Sequence, residues 1–74
     1  MKRNIKAFIY PDEDGYVVEC SDVRAVTQGD TLDEAITNLK EVIQLALEGE
    51  DATEFGLVPN PSILVTLELE PLGA

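Results

Sequence analysis

Hydrophobic and polar residues alternate along the first part of the chain, a pattern that is typical of β-strands. Successive side chains of a strand point to opposite faces, so Ile5, Ala7 and Ile9 fall on one side of the first segment. Pro, Asp and Gly residues then favour a tight turn. The pattern predicts an antiparallel meander with strands at 4–10, 16–20 and 23–27 and a hairpin turn at 11–15.

The middle of the chain carries a helical pattern with a distinct start and end. Thr31 and Glu34 form a capping box, in which each side chain is expected to bond the free backbone N–H of the other. Gly49 suits the left-handed conformation that often follows a helix. Apolar residues recur every three or four positions and predict a helix over 32–48. The apolar stripe consists of Leu32, Ala35, Ile36, Leu39, Val42, Ile43, Ala46 and Leu47.

Two features flank this helical pattern. The segment Gln28-Gly29-Asp30 predicts a turn into the helix, with Gly29 allowing the chain to bend sharply. Leu45 lies off the apolar stripe, and its position fits either a simple exposed side chain or a contact with another protein.

The last third of the chain predicts an irregular connection followed by a strand. Pro59 and Pro61 argue against regular structure, so the connection is expected to span 49–62. Residues 63–70 alternate again and predict a strand that Pro71 ends.

The elements form a single domain, residues 1–74, in the order β-β-β-α-β, which places the chain in the α+β class. A right-handed crossover from strand to helix to strand joins parallel strands, so the fourth strand is predicted beside the first. One helix then covers one face of the sheet. It is expected to pack Leu39, Ile43 and Leu47 over Ile5, Ile9, Val18 and Val65.

The other face of the predicted sheet has no helix to cover it. Phe8, Tyr10, Val17 and Leu64 are expected there beside polar side chains. An exposed apolar patch of this kind usually marks contact with another chain. We therefore predict a dimer or higher oligomer, built through this face or through the edge strand.

Composition narrows the chemistry that the chain can perform. Its 74 residues include no His and one Cys, which excludes an internal disulfide, a Cys/His zinc site and every histidine-based mechanism. Asp12 and Asp14 precede a Gly that comes too early for a calcium loop. A metal-dependent nuclease needs several carboxylates that converge on its metal ions, and the sequence does not show that any three of its acidic residues converge. We predict a non-catalytic protein without metal or cofactor.

Charge is distributed unevenly along the sequence. The first six residues carry three cations and no acid, whereas residues 7–74 hold all 15 acidic residues against two cations, a formal charge of −13. Such a surface repels nucleic acid and attracts a basic protein, and it also favours solubility. No segment reaches the roughly 20 apolar residues of a membrane helix, and no signal peptide is recognisable. A cytoplasmic protein that binds neither DNA nor membranes is predicted.

Three segments form a recognisable pattern: residues 15–20, residues 26–35 with the run V-T-Q-G-D-T-L-D-E-A, and residues 38–41 with N-L-K-E. In these segments the sequence resembles the HicB family of antitoxins. The resemblance covers about residues 4–48, and the last strand fits the same layout. It implies a truncated ribonuclease-H-like β-β-β-α-β fold that forms dimers or higher oligomers. It also implies binding to HicA, a small basic toxin that cleaves messenger RNA.

The sequence departs from the family pattern in two places. Many members carry a P-D-L-P-G-C-type segment between the second and third strands, whereas residues 21–26 read S-D-V-R-A-V and match it directly only at Asp22. Many members also continue into a C-terminal DNA-binding domain, which these 74 residues do not include. We therefore expect no direct binding to DNA.

The resemblance and the charge together predict a partner surface. The carboxylates of Asp12, Asp14, Glu19 and Asp22 are expected to face a basic HicA-like toxin and to neutralise it by occlusion. The alternative is a solitary HicB-like structural or regulatory homo-oligomer without a toxin.

Overall fold

A computed structural model describes residues 1–73 and shows four strands, one α-helix and one short 3-10 helix. The strands are β1, β2, β3 and β4, and the α-helix is α1. Their bounds are β1 Lys2–Asp12, β2 Gly15–Cys20, β3 Ala25–Gly29, α1 Leu32–Leu47, the 3-10 helix Ala52–Phe55 and β4 Leu57–Leu67.

The four strands form one mixed sheet in the order β3-β2-β1-β4. β1 pairs antiparallel with β2, β2 pairs antiparallel with β3, and β4 runs parallel to β1. The predicted α+β class, the meander and the place of the fourth strand are confirmed.

The helix begins where predicted, and the Thr31 side chain accepts a hydrogen bond from the backbone N–H of Glu34 at 3.1 Å. Among the described residues, the reciprocal bond from the Thr31 N–H to the Glu34 side chain is not formed, so only half of the predicted capping box is present. It ends at Leu47, one residue earlier than predicted. Gly49 has φ +74° and takes the expected left-handed conformation. Leu45 is 68% exposed and points away from the core, as its position off the apolar stripe predicted.

The core lies between α1 and one face of the sheet. Its most buried side chains are Ile5, Ile9, Val18, Val23, Leu39 and Leu57. The helix lies closest to β3 and then to β2, so it does not centre on the sheet. The prediction that Val65 is covered by the helix was wrong for this reason, since β4 is on the far side and Val65 is 39% exposed.

The hairpin and the third strand differ in detail from the prediction. Asp12 pairs with Gly15, so β1 runs on through Pro11 and Asp12, and only two residues form the turn. β3 begins and ends two residues later than predicted. Gly29 therefore belongs to a strand and not to a sharp turn.

β4 begins much earlier than predicted and includes both prolines. Lys2 pairs with Leu57 and Asn4 with Ser62, so the stretch 58–61 bulges away from β1. The prolines lie in this bulge, on an edge strand, where their missing N–H groups remove no bond of the ladder. The prediction of an irregular 49–62 connection was therefore wrong for its second half. β4 also ends at Leu67 and does not reach residue 70.

Candidate functional site

One face of the sheet is open to solvent and carries the predicted apolar side chains. Phe8 is 54% exposed and Leu64 is 50% exposed, while Tyr10 and Val17 are half-buried. The strand register places Tyr10 opposite Val17. We call this surface the open face.

The chain does not cover the open face with its own connection. Leu57 is fully buried in the core, and Phe55 packs against the same core cluster. The segment that could have shielded Phe8 therefore lies elsewhere.

Val26 belongs to the open face but was not predicted there. It is 69% exposed and stands opposite Glu19 in the register of β2 and β3. Its signal in the sequence was the alternation with buried Val23 and Ala25. That alternation places Val26 on the opposite side of the chain.

Acidic side chains gather where β1 and β4 end and α1 begins. Asp12, Glu13 and Asp14 at the hairpin tip line a shallow depression together with Asp30 and Glu70. We call this surface the acidic end. Within residues 1–73, no three His, Cys, Asp or Glu residues lie close enough to hold a metal ion.

Tyr10 links the open face to the acidic end. The pKa of its phenol lies above the ordinary value, chiefly because a hydrogen bond with Glu19 favours the protonated form. Burial and the negative charges of Glu19, Asp12 and Glu68 raise this pKa further. Phe8, Tyr10 and Asp12 alternate along β1 and therefore share one face, so the open face and the acidic end are continuous.

Asp22, the fourth predicted partner residue, has a role inside the chain. Its side chain is only 4% exposed. One carboxylate oxygen accepts from Lys2 Nζ at 2.7 Å, and the other accepts from the backbone N–H of Lys6 at 2.9 Å. The Ser21 N–H also donates to the Lys6 carbonyl, so this loop is fastened to β1. We therefore leave Asp22 out of the proposed partner surface.

The Asp22 contacts predict a loss of stability when the carboxylate is removed. The pKa of Asp22 is lowered, first by the Lys2 ammonium and then by the Lys6 N–H. Asp22→Ala is expected to lower the free energy of unfolding at pH 7 by about 1–2 kcal/mol, mostly through the Lys6 bond, since Lys2 stays well solvated. Urea denaturation at a fixed protein concentration measures this loss.

The same variant has a defined pH dependence. The folded-state pKa of Asp22 is lower than the unfolded one, so its stabilisation is complete above the ordinary value of about 3.9 and is lost as the pH falls through the folded value. The difference between wild type and Asp22→Ala should shrink in that acidic range. Asp14→Ala removes an exposed carboxylate and serves as the control, with a change within about 0.5 kcal/mol. A constant difference down to the most acidic pH would contradict this role for Asp22.

These features define a small α+β protein with an apolar open face that continues into an acidic end. In the part of the chain that the structure describes, no helix has the length and apolar character that crossing a membrane requires.

The chain belongs to the UPF0150 family. It is similar to the UPF0150 protein ssr1258 from Synechocystis sp., with 41% identity over 59 residues that cover 73% of this chain and 86% of the relative. No protein-family model and no solved structure matches the chain.

Proposed function

We propose that this UPF0150 protein is a non-catalytic antitoxin of the HicB type, which binds a small basic, mRNA-cleaving toxin of the HicA type. The HicB-like run over residues 26–35 supports this proposal, as does the net charge of −10. Messenger RNA is the toxin's target, so the proposed place of action is the cytoplasm.

The observation that carries the proposal is the continuity of the acidic end with the open face. Asp12 and Asp14 lie at one border of this combined surface, and Glu19 lies within it beside Phe8. Carboxylates attract the cations with which a ribonuclease binds RNA, and the exposed apolar side chains can exclude water at the centre of the contact. Binding there would occlude the toxin's RNA-binding surface without any chemical step.

Charge reversal at the hairpin tip tests this proposal. The double variant Glu13→Lys and Asp14→Lys should slow association with the small basic protein encoded beside the gene by about tenfold or more at low salt. The effect should diminish as ionic strength rises, because salt screens long-range steering. Stopped-flow or surface binding kinetics measure both quantities, and co-expression reports whether growth arrest is relieved.

The matched control reverses two exposed carboxylates away from the acidic end. Glu50→Lys with Glu54→Lys changes the net charge by the same amount beyond the C-terminal end of α1, whereas the acidic end lies at its N-terminal end. This control should associate much faster than the hairpin variant. If both variants slowed association equally, the effect would come from net charge alone and not from the acidic end. A wild-type chain that neither binds the neighbouring protein nor relieves its toxicity would overturn the antitoxin proposal.

The second candidate is a solitary structural or regulatory homo-oligomer without a toxin. It is favoured by β4, whose exposed apolar side chains stand on a strand with no charged residue. A basic reading frame beside the gene favours the antitoxin, and its absence favours this alternative.

A further inference from the structure

The outer edge of β4 offers unpaired backbone groups. β4 is the last strand of the sheet, with β1 on one side only. The Glu68 N–H donates to the Ile9 carbonyl, so even-numbered residues at this end point their backbone groups towards β1. Backbone direction alternates along a strand, and Ile63, Val65 and Leu67 therefore direct their N–H and C=O groups outwards.

This edge lacks the features that normally prevent pairing with another chain. Such edges are usually protected by charged side chains, prolines or bulges. In β4 the prolines and the bulge protect only the first half, up to Pro61. From Ser62 to Leu67 the strand is regular and uncharged, and Leu64, Val65 and Leu67 are between 37% and 50% exposed.

Charge indicates which chain this edge accepts. Each copy carries a net charge of −10, so two copies repel each other over most of their surfaces. β4 spans 11 residues without a charge and is therefore a region where a second copy can approach without that repulsion. A basic partner gains nothing from an uncharged edge and is drawn instead to the acidic end.

The register follows from the outward-facing groups. We propose that two copies pair antiparallel along Ile63–Leu67, with the two-fold axis at Val65, and so form one continuous eight-stranded sheet. Val65 then stands opposite Val65 of the second copy, and Ile63 stands opposite its Leu67. All three outward residues of each copy are paired in this register.

The pairing also covers apolar surface beside the strand. Ile63, Pro61 and Leu45 line an open groove of about 970 Å³ between α1 and β4. Leu67 of the second copy, placed opposite Ile63, reaches the mouth of this groove. The inference goes beyond the proposed function, because the β4 edge and the acidic end are separate surfaces.

Charge substitutions at the two-fold axis test the pairing. Wild type should show twice the chain mass of 8.1 kDa in size exclusion with light scattering. Val65→Lys and Val65→Glu should each be monomeric, because each places two like charges directly opposite each other. Mixing the two variants should restore the dimer, since Lys then faces Glu. Circular dichroism checks that each variant alone retains its fold.

The matched control lies one residue away on the same strand. Thr66→Lys adds the same charge on the open face, where the register places Leu64 of the second copy opposite, and it should remain dimeric. A monomeric wild type would overturn the proposal. A dimer that survives Val65→Lys but is lost in Thr66→Lys would also overturn it, because that result places the interface on the open face. Toxin binding by monomeric Val65→Lys is a separate readout, so failure of one proposal is distinguishable from failure of the other.

Discussion

Gly29→Ala is expected to lower the free energy of unfolding by about 3 kcal/mol or more, a large part of the stability of so small a domain. A Cβ at this position would lie 2.8 Å from the Cα of Ala35 and 2.9 Å from the carbonyl carbon of Glu34. Those atoms belong to the backbone of the first helical turn and cannot rotate aside as a side chain does. The substitution therefore requires α1 to move off β3, and urea denaturation measures the result.

Gly49→Ala is the control for this prediction. Gly49 needs a positive φ of +74°, but no atom lies within 4 Å of a Cβ placed there. Its cost should be about 1–2 kcal/mol, the penalty of the left-handed conformation alone. If both variants lost a similar amount of unfolding free energy, α1 would be able to move away from β3 at little cost. That result would contradict a rigid contact at Gly29.

Leu57→Ala is expected to destabilise the protein by about 3 kcal/mol, as large-to-small substitutions in a core commonly do. Leu57 is fully buried, although the sequence placed it in an irregular connection. Gly56 has φ +77° and ends the 3-10 helix, which turns the chain so that β4 starts beside Lys2. Truncation of the Leu57 side chain leaves a cavity in the core beneath the turn at Gly56. Thermal and urea unfolding should both detect it.

Leu72→Ala removes the same side-chain atoms from a fully exposed position. Its effect should stay within about 0.5 kcal/mol. An equally small loss of unfolding free energy in Leu57→Ala would contradict the prediction. It would mean that the residues at the start of β4 repack around the missing side chain.

The sequence predicted the elements whose signals are local. The capping Thr31 and the apolar stripe gave the helix to within one residue at its end. Alternation gave the three strands of the meander, and the crossover rule gave the parallel place of β4. These features depend on near neighbours or on a general rule of chain connection, so one sequence suffices to predict them.

The features that the sequence did not predict depend on contacts between distant segments. The buried role of Leu57 needs the bulge that separates β4 from β1, and Pro59 and Pro61 concealed that strand. The requirement at Gly29 comes from the approach of Ala35 and not from its own conformation. Neither the burial of Leu57 nor the contact between Gly29 and Ala35 can be predicted from the spacing of residues along the chain.

The candidate surfaces show the same division. The open face around Phe8 followed from alternation and from the presence of a single helix. Asp22, by contrast, belongs to the loop that folds back onto β1. There the Lys2 ammonium and the Lys6 backbone N–H donate hydrogen bonds to its carboxylate. Counting acids along the sequence could not separate this internal carboxylate from the exposed ones at Asp12 and Asp14.

The arrangement of charge along β1 has a consequence for how complexes assemble. β1 begins at Lys2 and ends at Asp12, and β4 runs parallel to it, so the acidic end lies at one end of both strands. In the proposed antiparallel pair along β4, the two acidic ends therefore face away from each other. If the chain binds the basic partner that we propose, each acidic end is open to one partner molecule, which predicts a two-to-two stoichiometry at saturation.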